Sequence, residues 1–215
     1  MSPVIIHGVP GSPYVRKVLL ACEEKGAPYR LAAMAIGASK GPDHLARQPF
    51  GRIPWIEHDG FWLYETDAII RYIDEAFDGP SLQPRDAKAR ARMNQVMGIV
   101  DNYVMPSMSA GIGWPRIMCP RLGLPVDEAA VAAAIAPSKV CIAALDEILG
   151  DQAFITGPAI SLADLMVLPH IDYLTASPEG TLILAGSPRI TAWLARMRGR
   201  PSAQATEAEK LMAAA

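Results

Sequence analysis

The sequence has few of the residues that mark a disulfide-bonded or metal-binding protein. Among 215 residues there are three cysteines and four histidines. Cys22, Cys119 and Cys141 are far apart and form no C-x-x-C pair, so neither a disulfide framework nor a zinc site is indicated. No histidine lies three or four residues from another candidate ligand in a recognisable metal motif. We therefore expect reduced thiols, no metal and a cytoplasmic location.

An excess of one charge and a long apolar run are also missing. Lys and Arg number 20 against 22 Asp and Glu, for a net charge of −2. This balance lacks the clustered basic excess of a nucleic-acid-binding protein, and the short basic run within 85–92 is typical of a solvated helix face. The first residues do not resemble a secretory signal, and no apolar run approaches the length of a membrane span. We predict neither nucleic acid nor membrane as a partner.

The first third of the chain alternates strand and helix signals. Short strands are predicted over 4–7 and 29–33, with a helix beginning at Ser12 between them. A helix that joins two strands predicts a parallel pair. Asp59-Gly60, flanked by aromatic and β-branched residues, predicts an antiparallel hairpin. A further helix follows this hairpin. The first 79 residues therefore predict a small mixed sheet with helices packed on it.

The pattern changes near residue 80. A Pro/Gly/Ser-rich linker is predicted over 80–87, and an all-helical domain over 88–215. Within that domain, Pro137 is expected to kink or split a helix, and the Pro/Gly-rich stretch after residue 104 is typical of a loop. Ser161 and Asp164 have the spacing of a capping box, in which an acidic side chain reaches back to the helix start. The predicted fold class is α/β followed by all-α.

Ser12 has two interpretations. Ser followed by Pro13 is a favourable helix start, with serine at the N-cap and proline at the first helical position. The order strand, turn, Ser-Pro-Tyr-Val, helix also occupies the place where a thioredoxin-like fold carries Cys-x-x-Cys. Here the two sulfur positions hold Ser12 and Val15, which disfavours thiol–disulfide exchange by the protein's own sulfurs.

Two further features accompany this pattern. Ile53-Pro54 precedes the hairpin, where a thioredoxin-like fold has a cis proline opposite the helix start. Glu65-Thr66 begins the helix after the hairpin. A helix N-terminus with a hydroxyl can hold a carboxylate, while Glu65 can hold an ammonium group. The pair therefore matches the zwitterionic end of a γ-glutamyl group.

With these features, the sequence resembles the cytosolic glutathione transferase family over nearly its whole length. The resemblance rests on "SPYVRKV", "QPFGRIPWIEHDG", "LYETDAIIRYIDEAF" and "FITGPAISLADLMVLPHIDYL". Within the family it is most similar to the serine-type classes, such as phi, tau and theta, in a bacterial-style member. It implies a thioredoxin-like N-terminal domain with a four-stranded mixed sheet, a helical C-terminal domain and a homodimer. Glutathione would bind mainly on the first domain.

The resemblance also assigns site residues. It implies that Ser12 stabilises the glutathione thiolate, and that Lys40 lies near the glycine carboxylate. The backbone of Ile53 would pair with the cysteinyl group beside Pro54. Thr66 replaces the commoner serine of the γ-glutamyl anchor and keeps its hydroxyl. The complete glutathione-binding set is Lys40, Arg52, Ile53, Pro54, Glu65 and Thr66, in which Arg52 stands where Gln or Lys is frequent.

The electrophile would lie in an apolar cleft between the domains. The candidates are Pro13, Tyr14, Tyr103, Met105, Ile112 and Trp114. Plain core packing explains several of these residues equally well. Asp101 is a candidate for reaching across a dimer to the glutathione amine, whereas Asp164 is interpreted as a fold-stabilising capping residue.

The predicted function is conjugation of glutathione, as co-substrate, to small apolar electrophiles by thiolate attack on carbon. Two alternatives stay open. The same thiolate would serve peroxide reduction or isomerisation, and a transferase-like protein can bind glutathione as a stress or interaction protein with no turnover.

Overall fold

Four strands form one mixed sheet in the computed structural model, which describes residues 2–213. The strands are β1 (Val4–Gly8), β2 (Tyr29–Ala33), β3 (Trp55–His58) and β4 (Phe61–Tyr64), in the spatial order β2-β1-β3-β4. β1 is parallel to β2 and antiparallel to β3, and β3 is antiparallel to β4. The turn between β3 and β4 places Asp59 at φ 50° and Gly60 at φ 78°, as a tight hairpin requires. The predicted sheet and hairpin are confirmed.

Three α-helices alternate with these strands or follow them directly: α1 (Pro13–Lys25), α2 (Pro42–Leu45) and α3 (Thr66–Ala76). α1 begins at Ser12-Pro13 and ends at Gly26, whose left-handed φ of 65° lets its N–H return to the Cys22 carbonyl. α1 and α3 pack against each other, and both helices carry apolar residues with no exposed surface. That buried set is Val15, Val18, Leu19, Ile69, Ile70 and Ile73.

A second unit, residues 84–198, is helical. Its elements are α4 (Ala87–Ile99), a π-helical segment (Val100–Met118), α5 (Cys119–Arg121), α6 (Glu128–Leu149), α7 (Leu162–Thr175), α8 (Pro178–Leu184) and α9 (Pro188–Arg198). Within 84–198 the structure has no strand, only an isolated bridge between Phe154 and Gly157. The predicted helical character is confirmed.

The predicted loop after residue 104 is wrong, because that stretch is helical. The π-helical segment contains Pro106 and Pro115, and at its end the Cys119 N–H reaches the Trp114 carbonyl five residues earlier. In an α-helix a proline clashes with the carbonyl four residues before it. The wider π turn changes which carbonyl each residue faces, so a proline signal that predicts a break in an α-helix is misleading here.

α6 departs from two expectations. It runs unbroken through Pro137, so this proline does not split the helix. By length and composition alone α6 could also cross a membrane, although only 28% of its most apolar window is buried. No run of this length was expected from the sequence, because the apolar character of α6 comes largely from alanine. Core helices of soluble proteins have the same composition, and one such helix is weak support for a membrane span.

Asp164 is a central polar group of the second unit. Its carboxylate is fully buried and accepts bonds from the Ile155 and Ser161 amides, each 2.9 Å long, and from the Trp193 indole at 2.8 Å. The Ser161 hydroxyl adds a fourth bond. Burial raises the pKa of Asp164, and these bonds to its ionised form oppose that rise. The structural role predicted for Asp164 is confirmed, since it joins the start of α7 to α9 and to the preceding loop.

Residues 199–213 belong to the first unit, although the sequence analysis placed them with the helical domain. They form α10 (Pro201–Ala205) and α11 (Ala208–Ala213). Arg200 makes two bonds of 2.7 Å to Glu24 on α1, and Arg16 of α1 donates to the Ala203 carbonyl at 3.2 Å. These partners are more than 170 residues apart, so no local sequence pattern predicts that the C-terminal residues pack on α1.

The first residues of the predicted linker are also tied to the first unit. Asp74 of α3 accepts a 2.8 Å bond from the Leu82 amide and a 3.1 Å bond from Gln83. Lys25 pairs with the same carboxylate at 3.2 Å and donates to the Pro80 carbonyl. The first unit therefore extends to Gln83.

Replacing Asp164 tests its structural role. We expect Asp164→Ala to lower the free energy of unfolding by about 3 kcal/mol or more, because four donors lose their buried acceptor. Urea titration measures this, with Asp151→Ala as the control, since the Asp151 side chain is 97% exposed. An equal, small loss in both variants would contradict the role.

Candidate functional site

The sheet topology brings the predicted site residues to one edge. His7 of β1 pairs with Trp55 of β3, and Trp55 pairs with Tyr64 of β4. The end of β1, the start of β3 and the end of β4 therefore lie side by side. Ser12 follows the first of these points, Ile53-Pro54 precedes the second and Glu65 follows the third. β2 ends at the same edge, since Ala33 pairs with Gly8.

Ser12 stands at the N-terminus of α1 with its hydroxyl making no capping bond. Its amide donates to the Val9 carbonyl at 3.1 Å, and its carbonyl accepts the first helical bond from Arg16 at 3.0 Å. The backbone is extended at φ −63° and ψ 129°, as at an N-cap. The interpretation of Ser12 as a hydroxyl cap is thus corrected. Backbone groups fix the residue, and its side chain accepts no bond from the amides of Tyr14 or Val15, the usual donors to an N-cap hydroxyl.

Basic side chains accompany the start of α1. Arg16 is buried and bonds to the Ala203 carbonyl and, at 3.4 Å, to the Thr206 hydroxyl. Lys17 has no exposed surface, and its ammonium lies 3.7 Å from the centre of the Tyr14 ring. α1 has no acidic residue in its first turn. The helix dipole and these two cations both favour an anion near this end of α1.

The loop that leads to β3 is held by side chains from α2 and its flanks. Ile53-Pro54 has a cis peptide bond, as predicted. Lys40 donates to the Gly51 carbonyl at 3.1 Å, which leaves two of its three ammonium hydrogens for other acceptors. Gly51 has φ 61°, and a Cβ there would lie 2.8 Å from the Lys40 ammonium and 3.1 Å from the Ser39 carbonyl oxygen.

Two residues in this region were missed by the sequence analysis. His44 bonds to the Arg52 carbonyl at 2.7 Å, and the Gln48 side chain accepts from the Arg52 amide at 2.9 Å. Both side chains are buried. Both side chains bind backbone groups, which every residue has, so the sequence contains no oppositely charged or polar partner that would predict the contact.

Glu65 adopts an unusual backbone conformation. It is the N-cap of α3 with φ 70° and ψ 113°, a positive φ that costs a non-glycine residue about 1–3 kcal/mol. Its side chain is exposed, whereas Thr66 at the first helical position is 93% buried. Strain of this kind is commonly retained where a residue must present its groups to a ligand.

The electrophile candidates differ in exposure. Tyr103 is 63% exposed and Trp114 41%, while Met105 is half-buried. Ile112 is fully buried, which favours the packing role that the sequence left open. Pro13 and Tyr14 at the start of α1 are half-buried, as is Asp101 in the π-helical segment.

A cavity of about 420 Å³ lies against the sheet beside α2. Its floor includes His7 and Trp55, whose rings stack at 3.7 Å, and none of the predicted site residues lines it. Burial lowers the pKa of His7, a change that the nearby Glu57 carboxylate opposes. Across residues 2–213, no group of three or more His, Cys, Asp or Glu side chains is arranged to hold a metal.

Comparison with known proteins gives two matching family models. Residues 6–81 match the model described as glutathione S-transferase, N-terminal domain, and residues 128–196 match the corresponding C-terminal domain. A probable glutathione S-transferase of Oryza sativa subsp. japonica is 30% identical over 207 residues, covering 94% of each chain. Glutathione S-transferase 3 of Zea mays is 29% identical and covers 97% of this chain and 95% of that one.

Solved structures agree with these matches. A poplar glutathione transferase has a TM-score of 0.87 and 27% identity over 100% of both chains. A second, from Populus trichocarpa, has a TM-score of 0.88 and 25% identity over 99% of this chain and 100% of that one. The predicted fold class is confirmed. These four relatives come from plants. They do not support the expectation that the chain resembles bacterial members of the family.

Gly51 and Gly37 provide a matched pair for testing the loop before β3. Both have positive φ, but a Cβ at Gly37 would meet nothing within 4 Å. We expect Gly37→Ala to cost about 1 kcal/mol of backbone strain, and Gly51→Ala to cost about 1–3 kcal/mol more by displacing Lys40 and the turn. Urea unfolding followed by tryptophan fluorescence measures both. Equal losses would show that close contacts around Gly51 are unimportant.

Proposed function

The chain belongs to the glutathione S-transferase family, and we propose that it conjugates the glutathione thiolate to small hydrophobic electrophiles, with Ser12 stabilising the thiolate. It is a glutathione transferase enzyme by that membership. The proposal concerns the residue that activates the thiol and the class of second substrate. The observation that carries it is a serine hydroxyl at the N-terminus of α1 that makes no capping bond.

The energetics of thiol activation support this role. A thiol with a pKa of about 8.5 is only a few per cent ionised near neutrality, and lowering that pKa by two requires roughly 2.7 kcal/mol. A helix N-terminus contributes about 0.3–1 kcal/mol, or up to about 2 kcal/mol when partly buried. A hydrogen bond to a charged group contributes roughly 1.5–3 kcal/mol. A serine at a helix N-terminus supplies both contributions.

Ser12 acts in this mechanism as a donor. Its hydroxyl hydrogen points to the substrate sulfur and stabilises the anion, so no general base is needed to deprotonate the serine. Once the thiol proton has passed to solvent, the thiolate sulfur bonds to the electrophilic carbon, and the bond from that carbon to its leaving group breaks. A chlorinated aromatic substrate, for example, releases chloride. Arg16 and Lys17 add positive charge to the same end of α1.

Glutathione is proposed to bind along the edge of the sheet in one orientation. Its glycine carboxylate takes the remaining hydrogens of Lys40, and its cysteinyl backbone pairs with Ile53 beside Pro54. The γ-glutamyl end is held by Glu65 and Thr66 at the N-terminus of α3. The exposed Arg52 side chain, next to Ile53 in the sequence, is proposed to contribute positive charge to glutathione binding, and no particular glutathione group is assigned to it.

The electrophile is proposed to contact apolar and aromatic side chains near the thiolate. Pro13 and Tyr14 are next to Ser12 in sequence, and the exposed Tyr103 and Trp114 offer apolar surface. The half-buried Met105 completes the proposed set, whereas Ile112 is assigned to core packing because it has no exposed surface.

Replacing Ser12 tests thiol activation. We expect Ser12→Ala to raise the pKa of bound glutathione by about 1 to 2, since a bond of roughly 1.5–3 kcal/mol to the thiolate is lost. Thiolate absorbance titration of the glutathione complex measures this, and turnover of a chlorinated aromatic substrate near pH 6.5 should fall about ten- to hundredfold.

The matched control is Ser187→Ala, which alters the same Ser-Pro helix start at α9 and should leave the thiol pKa unchanged. Unchanged turnover in Ser12→Ala would remove this serine from the mechanism. Glutathione binding without conjugate formation by the wild type would favour the non-catalytic alternative.

A homodimer is also proposed, as is a cytoplasmic location, since both are typical of the family. Around β4 the first unit exposes an aromatic surface composed of Phe50 and Trp62, whose rings contact Tyr64 and Trp55. Phe61 lies on the opposite face of the strand, against Tyr72 of α3. Phe50 is 64% exposed and Trp62 is 48% exposed. A second copy covering this surface would remove unfavourable apolar exposure. Asp101 is proposed to reach the partner's bound glutathione.

The aromatic surface can be tested by one substitution. We expect Phe50→Ser to weaken self-association at least tenfold, because burying a phenylalanine contributes about 1.5–3 kcal/mol. Sedimentation velocity over a concentration series measures this. Val140→Ser is the control, since Val140 is 70% exposed on α6. A monomeric wild type, or unchanged association in Phe50→Ser, would contradict the proposal.

A further inference from the structure

We propose that His44 and Gln48 are positioning residues for glutathione, because together they fix both backbone polar groups of Arg52, the residue before Ile53. This inference rests on the proposed function, in which the Ile53 backbone pairs with the cysteinyl group. Neither side chain needs to touch the substrate.

The two bonds are short and partly buried, since they join buried side chains to the backbone of an exposed residue. His44 bonds to the Arg52 carbonyl at 2.7 Å, and the Arg52 amide donates to Gln48 Oε1 at 2.9 Å. His44 is 6% exposed and Gln48 is 1% exposed. The two side chains satisfy the N–H and the C=O of Arg52, so the backbone direction at this residue depends on both of them.

The chemistry of the carbonyl assigns the state of His44. A carbonyl only accepts, so His44 Nε2 carries the hydrogen. Nδ1 is buried with no hydrogen-bond partner among residues 2–213. The His44 ring also packs edge-on against Trp55 at 6.4 Å.

Peptide planarity carries this constraint to Ile53. The Arg52 carbonyl and the Ile53 amide belong to the same planar group. Fixing the direction of the carbonyl therefore fixes the direction of the Ile53 N–H, one of the two groups that the proposed function aims at glutathione. Gln48 fixes the preceding peptide plane in the same way.

The rest of the loop is arranged consistently. The Gly51 amide donates to the Gln48 carbonyl at 3.0 Å, and Lys40 donates to the Gly51 carbonyl at 3.1 Å. Residues 48–52 thus form a turn whose orientation is set from α2 and its flanks. The Arg52 side chain is exposed, so its backbone is the part that this arrangement holds.

Substitutions at His44 separate positioning from simple packing. We expect His44→Leu, which cannot donate, to raise the Kd and KM for glutathione about tenfold, the size expected for one partly buried hydrogen bond. The kcat at saturating glutathione should change less than about twofold. His44→Gln places an amide donor near the position of Nε2 and should restore most of the affinity. Gln48→Leu should resemble His44→Leu.

The matched control is His58→Leu. His58 is 7% exposed and bonds through Nδ1 to the Tyr72 hydroxyl at 2.7 Å, but it has no bond to the loop at 48–52. If His58→Leu and His44→Leu lose equal stability in urea and only the latter loses glutathione affinity, positioning is supported. Wild-type affinity in His44→Leu, or a failure of His44→Gln to recover, would overturn the proposal.

A measurement without substrate keeps this inference separate from the proposed function. Hydrogen exchange of the Arg52 amide should be slow in the wild type and at least tenfold faster in Gln48→Leu, with glutathione absent throughout. Fast exchange in the wild type would overturn the positioning role itself. Slow exchange combined with no glutathione binding by the wild type would instead overturn the proposed function, and with it the assignment of this turn to glutathione.

Discussion

The antiparallel pairing of β1 with β3 is the constraint on which the candidate site depends. It places the turn before Ser12 beside Ile53-Pro54, and the β3–β4 hairpin then brings Glu65 to the same edge. A slip of one residue in this register would turn every side chain of β3 to the opposite face. Burial holds this register. Ile6 and Ile56 pair across the two strands and neither has any exposed surface, so a slip would move apolar side chains out of the core.

Two peripheral segments support this edge with polar contacts. The region of α2 holds the backbone of residues 51 and 52 through Lys40, His44 and Gln48. On the other side, residues 199–213 bind α1 through Glu24 and Arg16. The start of α1, where the Ser12 hydroxyl makes no capping bond, and the turn at 48–52 before Ile53 both depend on such contacts to stay in one conformation.

Much of the first unit could be predicted from its sequence because the signals there are local. Asp59-Gly60 predicts its own hairpin, and Gly26 ends its own helix. The start of α3 followed from Glu65-Thr66 in the same way, whereas the cis state of Pro54 was expected from the likeness to a thioredoxin-like fold. The loop predicted after residue 104 was wrong. Pro106 and Pro115 would break an α-helix, but the wider π-helical segment contains both of them. The roles of His44 and Gln48 were also missed, because their partners are backbone groups, which do not differ from one residue type to another.

The sequence by itself determined the fold class and the residue types at the site: a serine where a thiol would stand, a proline before the hairpin, and Glu65-Thr66 at a helix start. Only the tertiary structure decided how these groups are used. It left the Ser12 hydroxyl without a capping bond, gave Glu65 a positive φ, and placed the C-terminal residues on α1. Local propensities are set by neighbours in the chain, whereas hydrogen-bond partners and burial are set by residues brought together from tens to nearly two hundred positions apart.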